Sequence, residues 1–353
     1  MESFNLRKHR GLLIFIGFTV FVLNDIYRFH QHFNLHLMLD DYWEIPKYFD
    51  HLISFPDSSA LKNISTFEEL QQQATDLSIH IPIPRNLNII FAGDSLSRYQ
   101  YLDLVYFLKH GSWVDPSEKP NYLKERDYAN WTRYYNMTNY KLKPYEECDC
   151  FRAPGRLFLY KRSKILENRY FLDNERNNSV IYLQKFGDDF FKSSWNLTDI
   201  HKPHGNLINN LTDFKPILFF NWKEMIEQYV CNIKPKPALF IFNAGLWKNN
   251  DLTNTTTQKD IVQGLHRCGI ASMYKTTTKQ KQEKDRNFLE YESELCNQTD
   301  YCLDLTWTGL IKPKFYWDRA HFNPPIYSYL NLELLSLILT MNNTIMNLKF
   351  EEI

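Results

Sequence analysis

The sequence predicts an α/β fold of three layers, α/β/α, with helices on both faces of a mainly parallel central sheet. Three observations carry that expectation. Short apolar runs at 87–92 and 238–242 are too brief for helices, and each gives way to a turn containing glycine. Segments with apolar residues at helical spacing alternate with such runs. The chain has 353 residues, 44% of them hydrophobic, enough to bury the core of one large domain.

Taken in order, Ile81-Pro-Ile-Pro84 breaks any helix and leads into the first strand, 87–92. From Leu96 the apolar residues Leu96, Tyr99, Leu102, Val105, Tyr106 and Leu108 recur near the helical period, which completes a strand, turn and helix. Residues 157–160 and 180–183 read as further strands among turn-rich insertions. Residues 220–232 suit an amphipathic helix, 238–242 a buried strand, 259–268 a helix and 270–274 a strand. The charged run 279–286 reads as a solvated loop or helix face. Residues 303–306 form a short strand candidate, and Pro324-Pro325 opens a leucine-rich closing helix over 326–339.

The N-terminus reads differently from the body. Arg7-Lys8-His9-Arg10 precedes an apolar run from Gly11 to Leu23 with no small-x-small cleavage signal after it. That pattern predicts a cytoplasmic tail at 1–10, a signal-anchor transmembrane helix at 11–28, a stem and lead-in at 29–84 and a luminal domain at 85–353. The address follows: a secretory-pathway membrane, most naturally the Golgi, spanned once in type II orientation. Asn-x-Ser/Thr acceptors at Asn63, Asn130, Asn136, Asn177, Asn196, Asn210, Asn254, Asn297 and Asn342 fit a glycosylated luminal protein. Six cysteines, an even number, fit disulfides; Cys296 and Cys302 can close a short loop, whereas Cys148 and Cys150 are too close to pair comfortably. With no C-x-x-C pair, a zinc site is disfavoured. Lys+Arg and Asp+Glu both number 41, so no basic surplus points to nucleic acid.

The chemistry concentrates just past the two apolar strands. Gly93-Asp94-Ser95 sits between a strand and a helix, where a serine hydroxyl is exposed beside free backbone N–H groups. An ordinary helix cap gives the same tripeptide. Residue 97 is Ser, so the G-x-S-x-G elbow of common α/β-hydrolases is absent. Asp318 and His321 are spaced so that a carboxylate can orient an imidazole as base for the serine. Asn243 either donates its amide to an oxyanion, beside the N–H of Ser95, or caps its strand and turns with Gly245. Arg98 either meets an anionic or hydroxyl-rich substrate or forms a structural ion pair. Trp247 either stacks on a sugar or belongs to the core.

Four blocks occur in order: Phe91-Ala-Gly-Asp-Ser-Leu-Ser-Arg-Tyr-Gln100, Phe242-Asn-Ala-Gly-Leu-Trp247, Leu303-Asp-Leu-Thr306 and Asp318-Arg-Ala-His-Phe322. Together they resemble the PC-esterase branch of the SGNH/GDSL superfamily, which includes the plant trichome-birefringence-like polysaccharide O-acetyltransferases. The resemblance spans roughly residues 85–340 in blocks, with the insertions unmatched. It departs at Tyr99, where plant members usually have Asn, and around the Asp-x-x-His block, which lacks their cysteines. The glycine of the second SGNH block is not identifiable; Gly111, Gly155 and Gly187 are the candidates.

What the resemblance implies is an SGNH-hydrolase-like fold with Ser95 as nucleophile, His321 as base, Asp318 as its orienting acid and Asn243 as oxyanion donor. The expected activity is O-acetyl transfer to a glycan or polysaccharide hydroxyl through an acyl-Ser95 intermediate, from an acyl donor the sequence does not name. An esterase with the same triad and an inactive glycan-binding or scaffold protein are the alternatives. No metal or bound cofactor is called for. The expected partners are the glycan acceptor, the acyl donor and the membrane.

Overall fold

The computed structural model describes residues 66–78, 83–114, 137–152, 165–187, 191–193, 207–208, 217–219, 221–281, 289–341 and 349–350, with positions 139, 144 and 248 excepted. The expected anchor helix, most of the stem and the expected strand at 157–160 lie outside the described residues. Among those described, no helix is long and apolar enough to cross a membrane.

Along the chain run α1 (Phe67–Ser78), β1 (Pro84–Arg85), β2 (Asn88–Gly93), α2 (Ser95–His110), β3 (Glu146–Arg152), β4 (Ile165–Asp173), β5 (Asn178–Gln184), β6 (Phe191–Ser193), β7 (Leu207–Ile208) and β8 (Ile217–Phe219). They continue with α3 (Trp222–Gln228), β9 (Leu239–Phe242), α4 (Thr255–Arg267), β10 (Ala271–Lys275), α5 (Glu290–Gln298), β11 (Tyr301–Leu303), α6 (Pro324–Thr340) and β12 (Lys349–Phe350). Eight strands form one mixed sheet in the order β11-β10-β9-β2-β5-β4-β3-β7. The strands from β11 to β5 all run parallel, and β4 runs against both of its neighbours.

The order of the parallel block fixes where a site can form. The chain begins its sheet at β2, places β5 on one side, then crosses to β9 on the other. At such a switch the loops leaving neighbouring strands part and leave a crevice at their carboxyl ends. Ser95 follows β2 and Asn243 follows β9, so both lie on that edge.

Alternation along the strands divides the core. Ile90, Ala92, Ile181, Leu183, Phe240 and Phe242 pack with Trp222, Met225, Ile226, Ile261, Leu265 and Leu295 from α3, α4 and α5. Tyr182 points the other way from Ile181 and Leu183 and meets Tyr101 of α2, ring centroids 6.0 Å apart. Helices therefore cover both faces of the sheet. α6 begins on Pro324 and Pro325, whose missing N–H groups are no loss in a first helical turn, and is buried nearly all round. The expected strand at 303–306 is displaced to Tyr301–Leu303, because the Asp304 carboxylate takes the N–H of Thr306 (2.8 Å) and starts a 3₁₀ turn. Disulfides join Cys231 to Cys268 and Cys296 to Cys302.

Candidate active site

β2 is apolar and buried to its last residue, and Asp94 then caps α2 by accepting from the Leu96 N–H at 3.0 Å. Capping and exposure of the serine are thus properties of two adjacent residues rather than rival readings of one. Asp94 satisfies the helix end, and Ser95 stands as its first residue at the positive pole of the helix dipole. The turn is tight. A side chain at Gly93 would strike Ser97 and lie 2.9 Å from the Asn243 carbonyl. The Tyr182 hydroxyl donates towards the carbonyls of Gly93 and Asp94 at 3.0 and 3.1 Å, which holds the turn to β5.

Asp318 and His321 come from a loop rather than a helical turn. Tyr316 bridges Phe322, and the Trp317 N–H donates to the His321 carbonyl at 3.1 Å, closing the loop. Within it, Asp318 Oδ1 accepts from the N–H groups of Ala320 and His321, each at 2.8 Å. Its Oδ2 lies 2.8 Å from His321 Nδ1, and His321 Nε2 lies 2.7 Å from Ser95 Oγ. Burial works to raise the Asp318 carboxyl, but the His321 ring, its charge when protonated and the two backbone donors outweigh it. The carboxyl is held well below the usual carboxylate range.

Tyr99 braces this loop. Its ring meets Trp317 edge-on at 4.9 Å and His321 at 5.2 Å, while Trp317 Nε1 donates to Asp318 Oδ2 at 3.2 Å. Tyr99 is one of the departures from the plant pattern, and a ring there fills the space behind the histidine. In the sequence it reads only as one of the apolar positions at helical spacing after Leu96. Its helical spacing after Ser95 was the available signal, since one turn along α2 faces the same side.

Two expected site residues have other duties, and a third is only partly covered. The amide of Asn243, expected as an oxyanion donor, gives both its hydrogens away, to the Lys275 carbonyl at 2.5 Å and to Thr277 Oγ1 at 3.2 Å. Its Oδ1 takes the Gly245 N–H, so the strand-capping alternative describes it and nothing remains for an oxyanion. Arg98, expected at the substrate, is 3% exposed and ion-paired to Glu167 at 2.8 Å. That pair continues through Arg169, 2.6 Å from Glu167 and 2.8 Å from Glu146, so Arg98 ends a buried chain of charges. Trp247 is half-buried against Phe186, centroids 5.0 Å apart, and neither stacking on a sugar nor core packing alone describes it.

Of the three glycines considered for the second block, Gly111 caps the far end of α2 and Gly155 lies outside the described residues. Gly187 follows β5, the strand beside β2, on the same carboxyl edge as Ser95, with φ +51°. A side chain there would collide with the Asn249 carbonyl. At Gly245, φ is +69° and a side chain would run into the Asp94 carboxylate, so the loops after β2 and β9 are in contact.

Compared with known proteins, the chain matches no family model, no curated protein and no solved structure.

Proposed function

We propose that the protein is a serine acyl-transfer enzyme with an SGNH-hydrolase-like α/β/α domain, forming an acyl-Ser95 intermediate. The observation that carries this reading is the unbroken line Ser95 Oγ, His321 Nε2, His321 Nδ1, Asp318 Oδ2, with spacings of 2.7 and 2.8 Å. In it the imidazole takes the serine proton as Oγ attacks the acyl carbonyl, and Asp318 steadies the imidazolium. The leaving group then collects that proton, and the acceptor hydroxyl repeats the sequence in reverse. The oxyanion forms at the positive pole of α2, beside the Ser95 N–H.

The acceptor that best fits the sequence is a glycan or polysaccharide hydroxyl, and the group carried is acetyl. The half-buried Trp247 and Phe186 supply aromatic surface on the same edge for a sugar ring. Hydrolysis is the second reading, favoured by one observation: Ser95 and His321 both remain partly exposed, so water reaches the acyl-enzyme. A silent binding protein has no use for the aligned triad. The two disulfides among the described residues and the sequons support a secretory address, and the basic and apolar run over 7–23 supports a membrane anchor there.

A serine-directed fluorophosphonate should label the wild-type protein and leave Ser95→Ala unlabelled; equal labelling of both would refute the assignment. With an acetylated donor, oligosaccharide acceptors should suppress release of free acetate if transfer prevails. In the same preparation, glycosidase treatment should increase electrophoretic mobility, and an unchanged band speaks against the luminal placement.

A further inference from the structure

Lys275, the last residue of β10, takes no part in the triad, yet it touches or continues into everything around it. Its ammonium is 2% exposed and donates to Ser97 Oγ at 3.0 Å and Gln100 Oε1 at 3.1 Å, in the first two turns of α2. Its carbonyl accepts from Asn243 at 2.5 Å. The chain beyond it grips the histidine loop. Tyr316 donates its hydroxyl to the Lys279 carbonyl at 3.1 Å, the Lys281 N–H donates to the Arg319 carbonyl at 2.9 Å, and Arg319 Nε donates to Gln280 at 3.1 Å.

We propose that Lys275 is a positioning residue for the acyl-transfer site, fixing the first turn of α2 through Ser97 and holding a positive charge beneath the helix end where the oxyanion forms. The inference rests on the acyl-transfer reading. Sealing an ammonium among neutral oxygens, with no carboxylate bonded to it as in the chain from Arg98 to Glu146, is costly, so its retention here points to a use for the charge. The charged group that acts on it is Asp94 from the turn, and α2 faces it with Ser97 and Gln100, neither of which titrates. A buried cation one turn from the nucleophile adds to the field of the helix dipole without contacting substrate.

Its titration separates this role from a structural one. Burial pushes the Lys275 ammonium down to about 8, with the Asp94 charge opposing. Unfolded lysine holds its proton to about 10.4, so between those values the unfolded chain binds more protons and Lys275 makes the fold more stable as pH rises. Over the same window the site loses its charge. Reactivity and stability should therefore move in opposite directions.

The test is the rate of fluorophosphonate labelling from pH 6 to 10 in the full-length wild type, Lys275→Met and Ser97→Ala, with thermal midpoints alongside. The wild-type rate should fall above pH ~8 while its midpoint rises. Lys275→Met should label roughly tenfold more slowly at pH 7, short of the roughly hundredfold loss of a direct oxyanion donor, and should lack the alkaline fall. Ser97→Ala should be slower yet keep that fall, since it retains the charge. Labelling of Lys275→Met at the wild-type rate with the alkaline fall intact would overturn the proposal. Should Lys275→Met not fold, Ser97→Ala decides, and an unchanged rate overturns it. A wild type that never labels removes the acyl-transfer reading itself and this proposal with it; a wild type that labels no faster than Lys275→Met removes this proposal alone.

Discussion

β2 and β4 lie two places apart in the same sheet, both buried, and are built on opposite rules. β2 reads Asn-Ile-Ile-Phe-Ala-Gly and is sealed by apolar contact. β4 also buries Tyr170 and Phe171, but its Glu167 and Arg169, at 1% exposure or less, are sealed by ion pairs. The two meet in α2, where Arg98 pairs with Glu167 while Tyr99 beside it packs on the histidine loop. The contrast teaches that the helix carrying the serine is held in two ways, by ring packing through Tyr99 and by charge through Arg98. Apolar packing yields gradually when trimmed, whereas a buried charge stripped of its partner does not.

Arg169→Met should break the charged side most severely. It leaves Glu146 and Glu167 without their shared cation, at a cost of about 3–5 kcal/mol in urea unfolding. Burial already raises the Glu146 carboxyl despite that arginine. A loss no larger than that of a trimmed methyl group would erase the distinction between the strands. Tyr99→Leu probes the junction. Losing the edge contacts to Trp317 and His321 should cost about 1–3 kcal/mol and slow Ser95 labelling, while leaving the charge chain in place. Unchanged labelling would show that the ring does not brace the histidine.

The smallest effect at acid pH should come from Asp103→Asn, which sharpens the comparison with a third case, a buried acid whose carboxylate partners among the described residues are neutral. Asp103 accepts from Asn331 at 3.1 Å and Ser328 at 3.4 Å on α6, and burial raises its carboxyl to about 8, the two hydrogen bonds opposing. Because the folded value lies above the ~3.9 of an unfolded aspartate, its contribution is fully present below that pH and is lost as pH rises towards about 8. Asp103→Asn should thus match the wild type within about 1 kcal/mol at pH 4 and gain on it steadily towards pH 8. Parallel stability profiles would show that Asp103 is ionised in the fold.

The same contrast explains what was legible from sequence. The parallel strands β2, β9 and β10 announce themselves because a strand covered on both faces is an apolar run. β3 and β4 do not, since Glu146, Glu167 and Arg169 occupy core positions in the guise of surface residues. α5 escaped notice in the same way, with its capping Glu292 buried under Thr277 and Leu289. Ser95, Asp318 and His321, which stand in one hydrogen-bonded line, were legible as candidates from residue type and local spacing, and only the order of the blocks joined them. The duties of Asn243 and Arg98 were left open because they depend on Thr277, Lys275 and Glu167, distant in sequence and silent as motifs. For Arg98, the ion-pair reading was available beside the substrate reading, and nothing local chose between them.

The glycine at 245 joins the first two site blocks into a single object. A side chain there would run into the Asp94 carboxylate, and the Gly245 N–H is bound to Asn243. Gly-Asp-Ser and Asn-Ala-Gly are therefore two halves of one contact, although some 150 residues of chain separate them. A side chain gained at 245 would therefore demand a shorter one at 94 in the same step, whereas a longer residue at 94 has nothing at 245 left to trim.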